Sequence, residues 1–209
     1  MKRKSHFVPL TKEWPALDWG AFTLAAHENS IAGRIARWRG YSERFCQWLI
    51  ENGHVGCYEN QICFPIRQGN RIVRAHVRRH ESRDWKAAGM QAWYHYPAVG
   101  ASVDAMVIRH RPFAGKTTHR AFLFESQWDL FALLGTLKIP GLYIATRGAG
   151  NARKLSSIQW PSRVEIWPQN DDAGEKWAHD CRKWIPKACE IEEKRVPFGF
   201  KDANEWLKL

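Results

Sequence analysis

The sequence predicts an α/β protein in which residues 119–209 form a parallel sheet with helices and residues 31–118 form a smaller, basic α+β region. From about residue 119, short apolar segments alternate with longer helical segments, which is typical of a parallel sheet with crossover connections. Upstream, a helical period gives way to a two-residue alternation, which indicates helices followed by antiparallel strands. The charge divides at nearly the same place. Residues 1–120 carry 19 Lys and Arg against nine Asp and Glu, whereas residues 121–209 carry 13 against 12.

The N-terminal third is predicted to be an arm followed by two helices. Residues 1–30 form a basic arm in which two prolines interrupt regular structure, leaving room for one short helix. A helical period follows over residues 31–52 and is broken at Gly40. Ser42 is placed to cap the second helix, because its hydroxyl can accept a hydrogen bond from a free backbone N–H of the first turn.

The middle of the chain is predicted to be antiparallel. Gln61–Ile66 and Arg71–Val77 are joined by a short polar turn containing glycine and read as a hairpin. Residues 79–91 are polar and indicate a loop. Trp93–Tyr96 and Met106–Ile108 have the aromatic and β-branched composition of two further strands.

The C-terminal part supplies the strands whose ends matter most. Ligands of parallel sheets with crossovers bind at the carboxyl ends of the strands, so the residues just past each strand are the candidate site residues. The predicted strands are Arg120–Phe124, Gly141–Ala145, Arg163–Trp167 and Cys189–Val196, and the predicted helices are Gln127–Leu137, Asp172–Trp184 and Ala203–Leu207.

Composition excludes several classes of protein. No apolar run approaches the roughly 18 residues of a membrane helix, and the basic N-terminus is not followed by the apolar stretch of a secretory signal. None of the five cysteines forms a CxxC pair, so neither a zinc ribbon nor a disulfide framework is predicted. Buried free thiols in a reducing cytoplasm are expected instead. The nine histidines show no HxH or HExxH spacing, which argues against zinc hydrolase chemistry.

The formal net charge of +11 lies almost wholly in the first half of the chain. That half interleaves arginine with aromatic residues, as in Arg37-Trp38-Arg39 and in the segment from Arg109 to Phe113. Arginine supplies contacts to phosphates, and exposed aromatic rings stack on bases, so nucleic acid is the predicted partner. The alternative is a solvated basic surface whose tryptophans belong to the core.

Acidic residues follow three of the predicted strands. Glu125 follows the first strand, Asp171 and Asp172 follow the third, and Asp202 follows the last. Carboxylates gathered at one edge repel one another unless a cation neutralises them, and Mg²⁺ prefers carboxylate and water oxygens. Gly174 is expected to let the backbone approach a phosphate at the N-terminus of the next helix. For any one of these residues the alternative is a helix cap or a solvated charge, but the convergent set favours a metal site.

These segments resemble the Toprim domain and, more narrowly, phage- and plasmid-borne relatives of bacterial-type DNA primase. The family pattern is a strand ending in Glu with an Asp four residues on, then an Asp-x-Asp-x-x-Gly turn, then a Lys-Asp stretch. The matching segments here are Phe124–Ala132, Ile166–Gly174 and Lys201–Leu207. The predicted hairpin, Trp93–Pro97 and the helix pair around Gly40 are similar to the region that precedes Toprim in those primases. The similarity covers about residues 31–207.

The resemblance implies a Toprim-like, Rossmann-like sheet and the chemistry of a primase. Such an enzyme uses Mg²⁺ or Mn²⁺ to join nucleoside triphosphates into short primers on a single-stranded DNA template, beside a replicative helicase. Glu125 would be the general acid or base beside the metal, and Asp171 would be a metal ligand. Asp129 and Asp202 would support the metal, and Lys201 would belong to the catalytic set.

Gln169 is a departure from the family pattern, because it stands where the family has the first Asp of the pair. An amide offers one oxygen but removes a negative charge. Weaker Mg²⁺ binding is therefore expected, or one metal where relatives hold two.

Four arginines are the predicted contacts to the triphosphate and template. Arg74 lies in the predicted hairpin, Arg78 and Arg79 directly follow it, and Arg147 follows the second strand of the Toprim-like part. The glycines after Arg147 could equally form a plain flexible turn. Two other functions stay open: a Toprim nuclease, with water as the nucleophile, and a non-catalytic module that binds nucleic acid or nucleotides for a helicase.

Overall fold

The first part of the fold is a group of helices packed beside an antiparallel sheet. A computed structural model describes residues 13–85, 87–110 and 119–207. Its first elements are α1 (Trp19–Glu28), α2 (Ile31–Arg39), α3 (Glu43–Glu51), β1 (Gly56–Tyr58), β2 (Gln61–Gln68), β3 (Arg71–Arg78) and β4 (Trp93–Tyr96). The strands form a sheet in the order β1-β2-β3-β4, with every neighbouring pair antiparallel. The predicted hairpin is therefore present, and the three-residue β1 was not predicted.

The second part is a five-stranded sheet with helices. Its elements are β5 (Met106–His110), β6 (Arg120–Phe124), α4 (Gln127–Leu137), β7 (Gly141–Ala145), a 3-10 helix (Ala149–Ser157), β8 (Arg163–Trp167), α5 (Asp172–Arg182), β9 (Glu190–Glu193) and α6 (Ala203–Trp206). The strand order is β5-β7-β6-β8-β9. Strands β6 to β9 run parallel, and β5 runs antiparallel to β7. The predicted α/β fold with a parallel sheet and helices is confirmed.

Strand β5 joins a sheet that the sequence did not assign to it. It lies upstream of residue 119, in the range predicted for the basic region, yet it pairs with β7 along its whole length. Composition identifies a strand but not its partner, because pairing depends on contacts distant in sequence.

The parallel sheet is covered on both faces. On one face, Phe122 and Phe124 of β6 belong to a buried cluster that also includes Phe131 of α4, Phe64 of β2 and residues of α1, α2 and α3. The three regions predicted from the sequence therefore share this cluster where they meet. Alternate residues of a strand point to opposite faces, and the other face of β6 packs on Trp177 of α5 and on the 3-10 helix.

The connections place a topological switch point between β6 and β8. Strand β6 has β7 on one side and β8 on the other, and helices α4 and α5 cover opposite faces of the sheet. In open α/β sheets the ligand crevice lies outside the carboxyl ends of the strands at such a point. Within the described ranges, no helix has the length and apolar character to cross a bilayer.

Candidate active site

Glu125 stands at the carboxyl end of β6, at the switch point. The next residue, Ser126, begins α4 by accepting a hydrogen bond from the N–H of Trp128, which fixes the direction of the chain. The Oε2 atom of Glu125 is buried and has no hydrogen-bond partner in the described part of the chain. Burial, and secondarily the charge of Asp171, raises the pKa of Glu125 above its ordinary value, while Lys201 opposes the shift. A buried carboxylate oxygen without a partner is costly unless a cation or donor reaches it.

Asp171 lies beside Glu125 because the chain turns from β8 into α5 at this edge. Its Oδ1 atom caps α5 by accepting a hydrogen bond from Gly174 N at 2.8 Å, and its Oδ2 atom is 3.5 Å from Lys201 Nζ. The Asp171 side chain is 36% exposed and Lys201 is 60% exposed, so the second carboxylate oxygen is accessible. Mg²⁺ is commonly held by one or two carboxylates together with waters and substrate phosphates. Glu125 and Asp171 fit that donor set.

Asp129 and Gln169 contact each other, although both were predicted to reach the metal. The Oδ1 atom of Asp129 accepts a hydrogen bond from Asn204 N at 3.0 Å, and its Oδ2 atom accepts one from Gln169 Nε2 at 3.4 Å. Burial, and secondarily Asp202, raises the pKa of Asp129 to about 7. Both carboxylate oxygens of Asp129 thus accept hydrogen bonds inside the protein. They connect α4 to the turn at Gln169 and to the start of α6.

Asp202 is also engaged in local structure. Its Oδ1 atom caps α6 by accepting a hydrogen bond from Glu205 N at 2.8 Å. Within the described ranges, no three His, Cys, Asp or Glu side chains are grouped so that they could hold a metal ion. Glu125, Asp171 and Asp202 were expected to lie together. Instead, Glu125 lies near Asp171, and Asp202 lies near Asp129.

Gly174 packs closely against the turn that precedes α5. A Cβ atom at this position would lie 2.3 Å from the carbonyl oxygen of Gln169 and 2.8 Å from its nitrogen. The absent side chain therefore lets the Gln169–Asp171 turn lie against the first turn of α5.

A cavity of about 420 Å³ opens beside Glu125. Its basic lining comes from three separate elements: Arg39 at the end of α2, Arg78 at the end of β3, and Arg147 after β7. The aromatic lining is His76, Trp93 and Trp128. Three predicted site residues, Glu125, Arg78 and Arg147, thus line one cavity. Arg39 lines it too, although the sequence did not predict it as a site residue.

Aromatic rings hold two of these arginines in place. The guanidinium of Arg39 lies 3.9 Å from the ring centroid of Trp38 and 4.3 Å from that of Trp128. The guanidinium of Arg78 lies 5.6 Å from the rings of both Trp38 and Trp93. Burial lowers the pKa of Arg39, and the charge of Arg78 adds to that effect. Two guanidinium groups held close together attract an anion.

Arg147, which the sequence predicted to contact phosphate, is buried at the joint between the two sheets. Its side chain is 2% exposed, one of its terminal nitrogens donates to Pro65 O at 2.8 Å, and the same nitrogen is 3.7 Å from Asp104 Oδ1. Its Nε and its other terminal nitrogen have no partner among the described residues. Arg147 therefore lines the cavity and also joins the two sheets.

Two of the predicted phosphate contacts, Arg74 and Arg79, make contacts within the protein. Three nitrogens of Arg74 donate to the carbonyls of Pro97, Ala98 and Ala101, so this side chain holds the loop after β4. Arg79 directly follows the last residue of β3, and its guanidinium lies 4.7 Å from the ring centroid of Tyr94. Neither arginine lines the cavity beside Glu125.

His76 adds a neutral ring to the cavity wall. It stacks on Trp93 at 4.4 Å and on His95 at 5.0 Å. Burial, with the positive charge of Arg147 next in importance, lowers the pKa of His76 to about 3. The imidazole is therefore uncharged at neutral pH, and its Nδ1 atom has no partner among the described residues.

Comparison with solved structures identifies the fold as that of primase catalytic cores. The primase fragment of the bacteriophage T7 primase-helicase protein matches with a TM-score of 0.54 and 18% identity over 81% of this chain. The E. coli primase catalytic core matches with a TM-score of 0.58 and 13% identity over 90% of this chain. The DnaG primase catalytic domain bound to single-stranded DNA matches with a TM-score of 0.52 and 14% identity over 89% of this chain.

These matches are structural. The chain spans 66% of the T7 fragment, which is just under two thirds of its length. It spans 72% of the E. coli core and 70% of the DNA-bound DnaG domain. No protein-family model and no curated protein matches the sequence.

Proposed function

We propose that this protein is a primase-type nucleotidyltransferase that joins nucleoside triphosphates on a single-stranded DNA template. The observation that carries the proposal is the buried, unpartnered Oε2 atom of Glu125. This residue lies next to Asp171 and lines the same cavity as three arginines. An acidic pair facing a basic cavity suits a substrate that brings both a metal and several phosphates. The fold shared with primase cores supports the same function.

Glu125 and Asp171 would hold one Mg²⁺ or Mn²⁺ ion. When bound, the metal neutralises the charge that develops on the phosphate oxygens during transfer. One ion is proposed because both carboxylate oxygens of Asp129 accept hydrogen bonds, one from Gln169 Nε2 and one from Asn204 N.

The chain's own residues would bind and orient the substrates. Arg39 and Arg78 would contact the triphosphate, since their guanidinium groups are fixed by stacking and require little further ordering. Arg147 would donate to the ligand through its two unpartnered nitrogens. A carboxylate oxygen of Glu125 would act as the general base that accepts the proton of the attacking 3′-hydroxyl. Lys201 would move from Asp171 to a phosphate oxygen as the substrate enters.

The partners follow from the chemistry of the site and from the similar structures. A positively charged cavity with aromatic walls suits single-stranded DNA, whose bases are free to stack. One similar structure holds single-stranded DNA, and another belongs to a primase-helicase protein, which supports a replicative helicase as the partner.

A second candidate function is a non-catalytic module that binds nucleotides or nucleic acid for a helicase. The buried Asp129–Gln169 pair favours it, because a site with fewer free carboxylates binds metal more weakly. A nuclease is the third candidate, since water can replace the sugar hydroxyl at the same site.

One assay separates the three candidates. Wild type and Glu125→Gln are incubated with single-stranded template, labelled nucleotides and Mg²⁺ or Mn²⁺. Template-dependent oligomers made by wild type and lost in the variant are the expected result. Degraded template would support the nuclease, and filter-retained label without product would support the binding module. Asp202→Asn is the control, because asparagine also caps a helix and Asp202 is not one of the two proposed ligands.

A further inference from the structure

A second, larger cleft lies apart from the proposed active site. It has a volume of about 1140 Å³ and is lined by the tip of the β2–β3 hairpin, the chain leading into β5, β5 itself and the 3-10 helix. Among the described residues, none lines both this outer cleft and the cavity beside Glu125. Small-molecule pockets usually have roughly 300–1,000 Å³. The outer cleft is therefore large enough for an extended ligand.

The charge of the outer cleft is strongly positive. Four basic side chains line it: Arg67, Arg109, Arg153 and Lys154. Asp104 is the only acidic residue among the described residues that line it, and its carboxylate already accepts a hydrogen bond from Arg67 N and lies near Arg147.

Most of these cations are free to bind a ligand. In the part of the chain that the structure describes, the side chains of Arg67, Arg109 and Arg153 are exposed and make no hydrogen bond or ion pair. Lys154 donates only to the hydroxyl of Ser102, which leaves its charge unneutralised. Elsewhere in the protein, arginines such as Arg163 and Arg182 are paired with glutamates. Unpaired cations gathered in a concave surface attract a polyanion.

Two tryptophans line the same cleft. Trp184 is 42% exposed, and Trp14 is held at the hairpin by a hydrogen bond from its backbone N–H to Gln68 Oε1. Exposed aromatic rings beside a basic groove stack with unpaired bases, which a duplex does not offer. An acidic polypeptide would match the charge but would leave the exposed ring of Trp184 without a base to stack on.

We infer that the outer cleft is a second binding site for single-stranded nucleic acid, separate from the cavity at Glu125. Arg67, Arg109, Arg153 and Lys154 contact the phosphates, and Trp184 stacks on a base. Asp104 lines the outer cleft, and its ion-pair partner Arg147 lines the cavity beside Glu125, so the two sites adjoin at this pair. A strand held in the outer cleft lies close enough to be shared with the active site.

The test measures the binding of a fluorescent oligothymidylate over a series of salt concentrations, with chelator and without nucleotide. Each phosphate contact to a single strand contributes about 0.7 to the slope of log K against log salt. The double variant R109Q/R153Q is expected to lower the slope by about 1.4, and R109K/R153K is expected to restore it. K176Q/K187Q is the matched control, because it removes two exposed charges that do not line the cleft.

The stacking contact is tested separately. Trp184→Ala is expected to weaken binding about fivefold or more, because stacking contributes about 1–3 kcal/mol per base, and Trp184→Phe is expected to retain most of the affinity. Oligonucleotides carrying 5-iodouracil are expected to crosslink to Trp184.

Four results would overturn the inference: a salt slope unchanged in R109Q/R153Q, equal binding of duplex DNA, equally potent displacement by polyglutamate, or crosslinks confined to Trp93. The binding assay contains neither metal nor nucleotide, so its outcome is independent of the proposed transfer reaction. Loss of oligomer synthesis in Glu125→Gln, in turn, does not depend on the outer cleft.

Discussion

Burial changes the role of the Asp129 carboxylate. The resemblance to Toprim implied a ligand near the metal, because the residue stands four positions after Glu125. The structure buries it against α6 and Gln169, where each oxygen accepts a hydrogen bond. Sequence spacing placed the residue at the correct edge, but it could not tell whether the carboxylate points to solvent or to a backbone N–H.

The raised pKa of Asp129 predicts a specific pH dependence of stability. Its pKa is about 7 in the folded protein and about 3.9 in the unfolded chain, so the folded state binds the proton more tightly. The free energy of unfolding contributed by this group therefore falls as the pH rises from about 4 to about 7, on the order of 1 kcal/mol per pH unit. Asp129→Asn keeps an acceptor for Asn204 N and removes the titration.

Urea denaturation of both proteins between pH 4 and pH 8, with chelator present, measures this effect. The variant is expected to match wild type near pH 4 and to be the more stable protein at pH 8. Parallel curves for the two proteins would contradict the assignment.

Local signals predicted several elements closely. Helix α4 has the predicted bounds, Gln127–Leu137, because Ser126 caps its start and Lys138 ends it with a left-handed backbone just before Pro140. Strand β9 is shorter than predicted, since only Glu190–Glu193 pair with β8 at the edge of the sheet. The 3-10 helix was not predicted, because its sequence lacks a clear apolar period.

The close packing of Gly174 at the start of α5 can be tested by adding a methyl group. Gly174→Ala would place a methyl group within 2.3 Å of Gln169 O, so the turn or α5 must shift. Overpacking of this kind costs roughly 1–3 kcal/mol, and the shift would move Asp171 away from Glu125. Thermal denaturation is expected to show the loss of stability, and the primer assay is expected to show a loss of activity.

Gly150→Ala is the control, because a Cβ atom at Gly150 would meet no other atom within 4 Å. We expect this variant to stay within about 0.5 kcal/mol of wild type. Equal behaviour of the two alanine variants would contradict the role assigned to Gly174.

At the scale of the whole molecule, the two sheets are joined by aromatic packing. Phe64 of β2 contacts Trp128 of α4 with ring centroids 5.2 Å apart, and Tyr41 donates a hydrogen bond to Trp128 O at 2.7 Å. The same packing places Arg39 and Arg78 opposite Glu125, so the cavity exists only when both parts are assembled. Sequence patterns predicted each part but not this joint, which consists of contacts between residues far apart in the chain.

Phe64→Ala tests whether the two parts unfold together. Removal of a buried phenylalanine costs roughly 3–5 kcal/mol. The midpoint temperature of unfolding is therefore expected to fall, and far-UV and near-UV circular dichroism are expected to show the same single transition. Phe198→Ala is the control, because Phe198 is fully exposed. Two separate transitions in wild type or in the Phe64 variant would contradict a shared core.

Glu125 and Asp171 are proposed to share one divalent metal ion, and electron paramagnetic resonance of bound Mn²⁺ measures that binding. In the presence of a nucleoside triphosphate, wild type and Asp202→Asn are expected to bind one protein-dependent Mn²⁺ ion per chain. Glu125→Gln and Asp171→Asn are each expected to lose it, beyond what the nucleotide binds alone. Unchanged Mn²⁺ binding in both of these variants would contradict the claim.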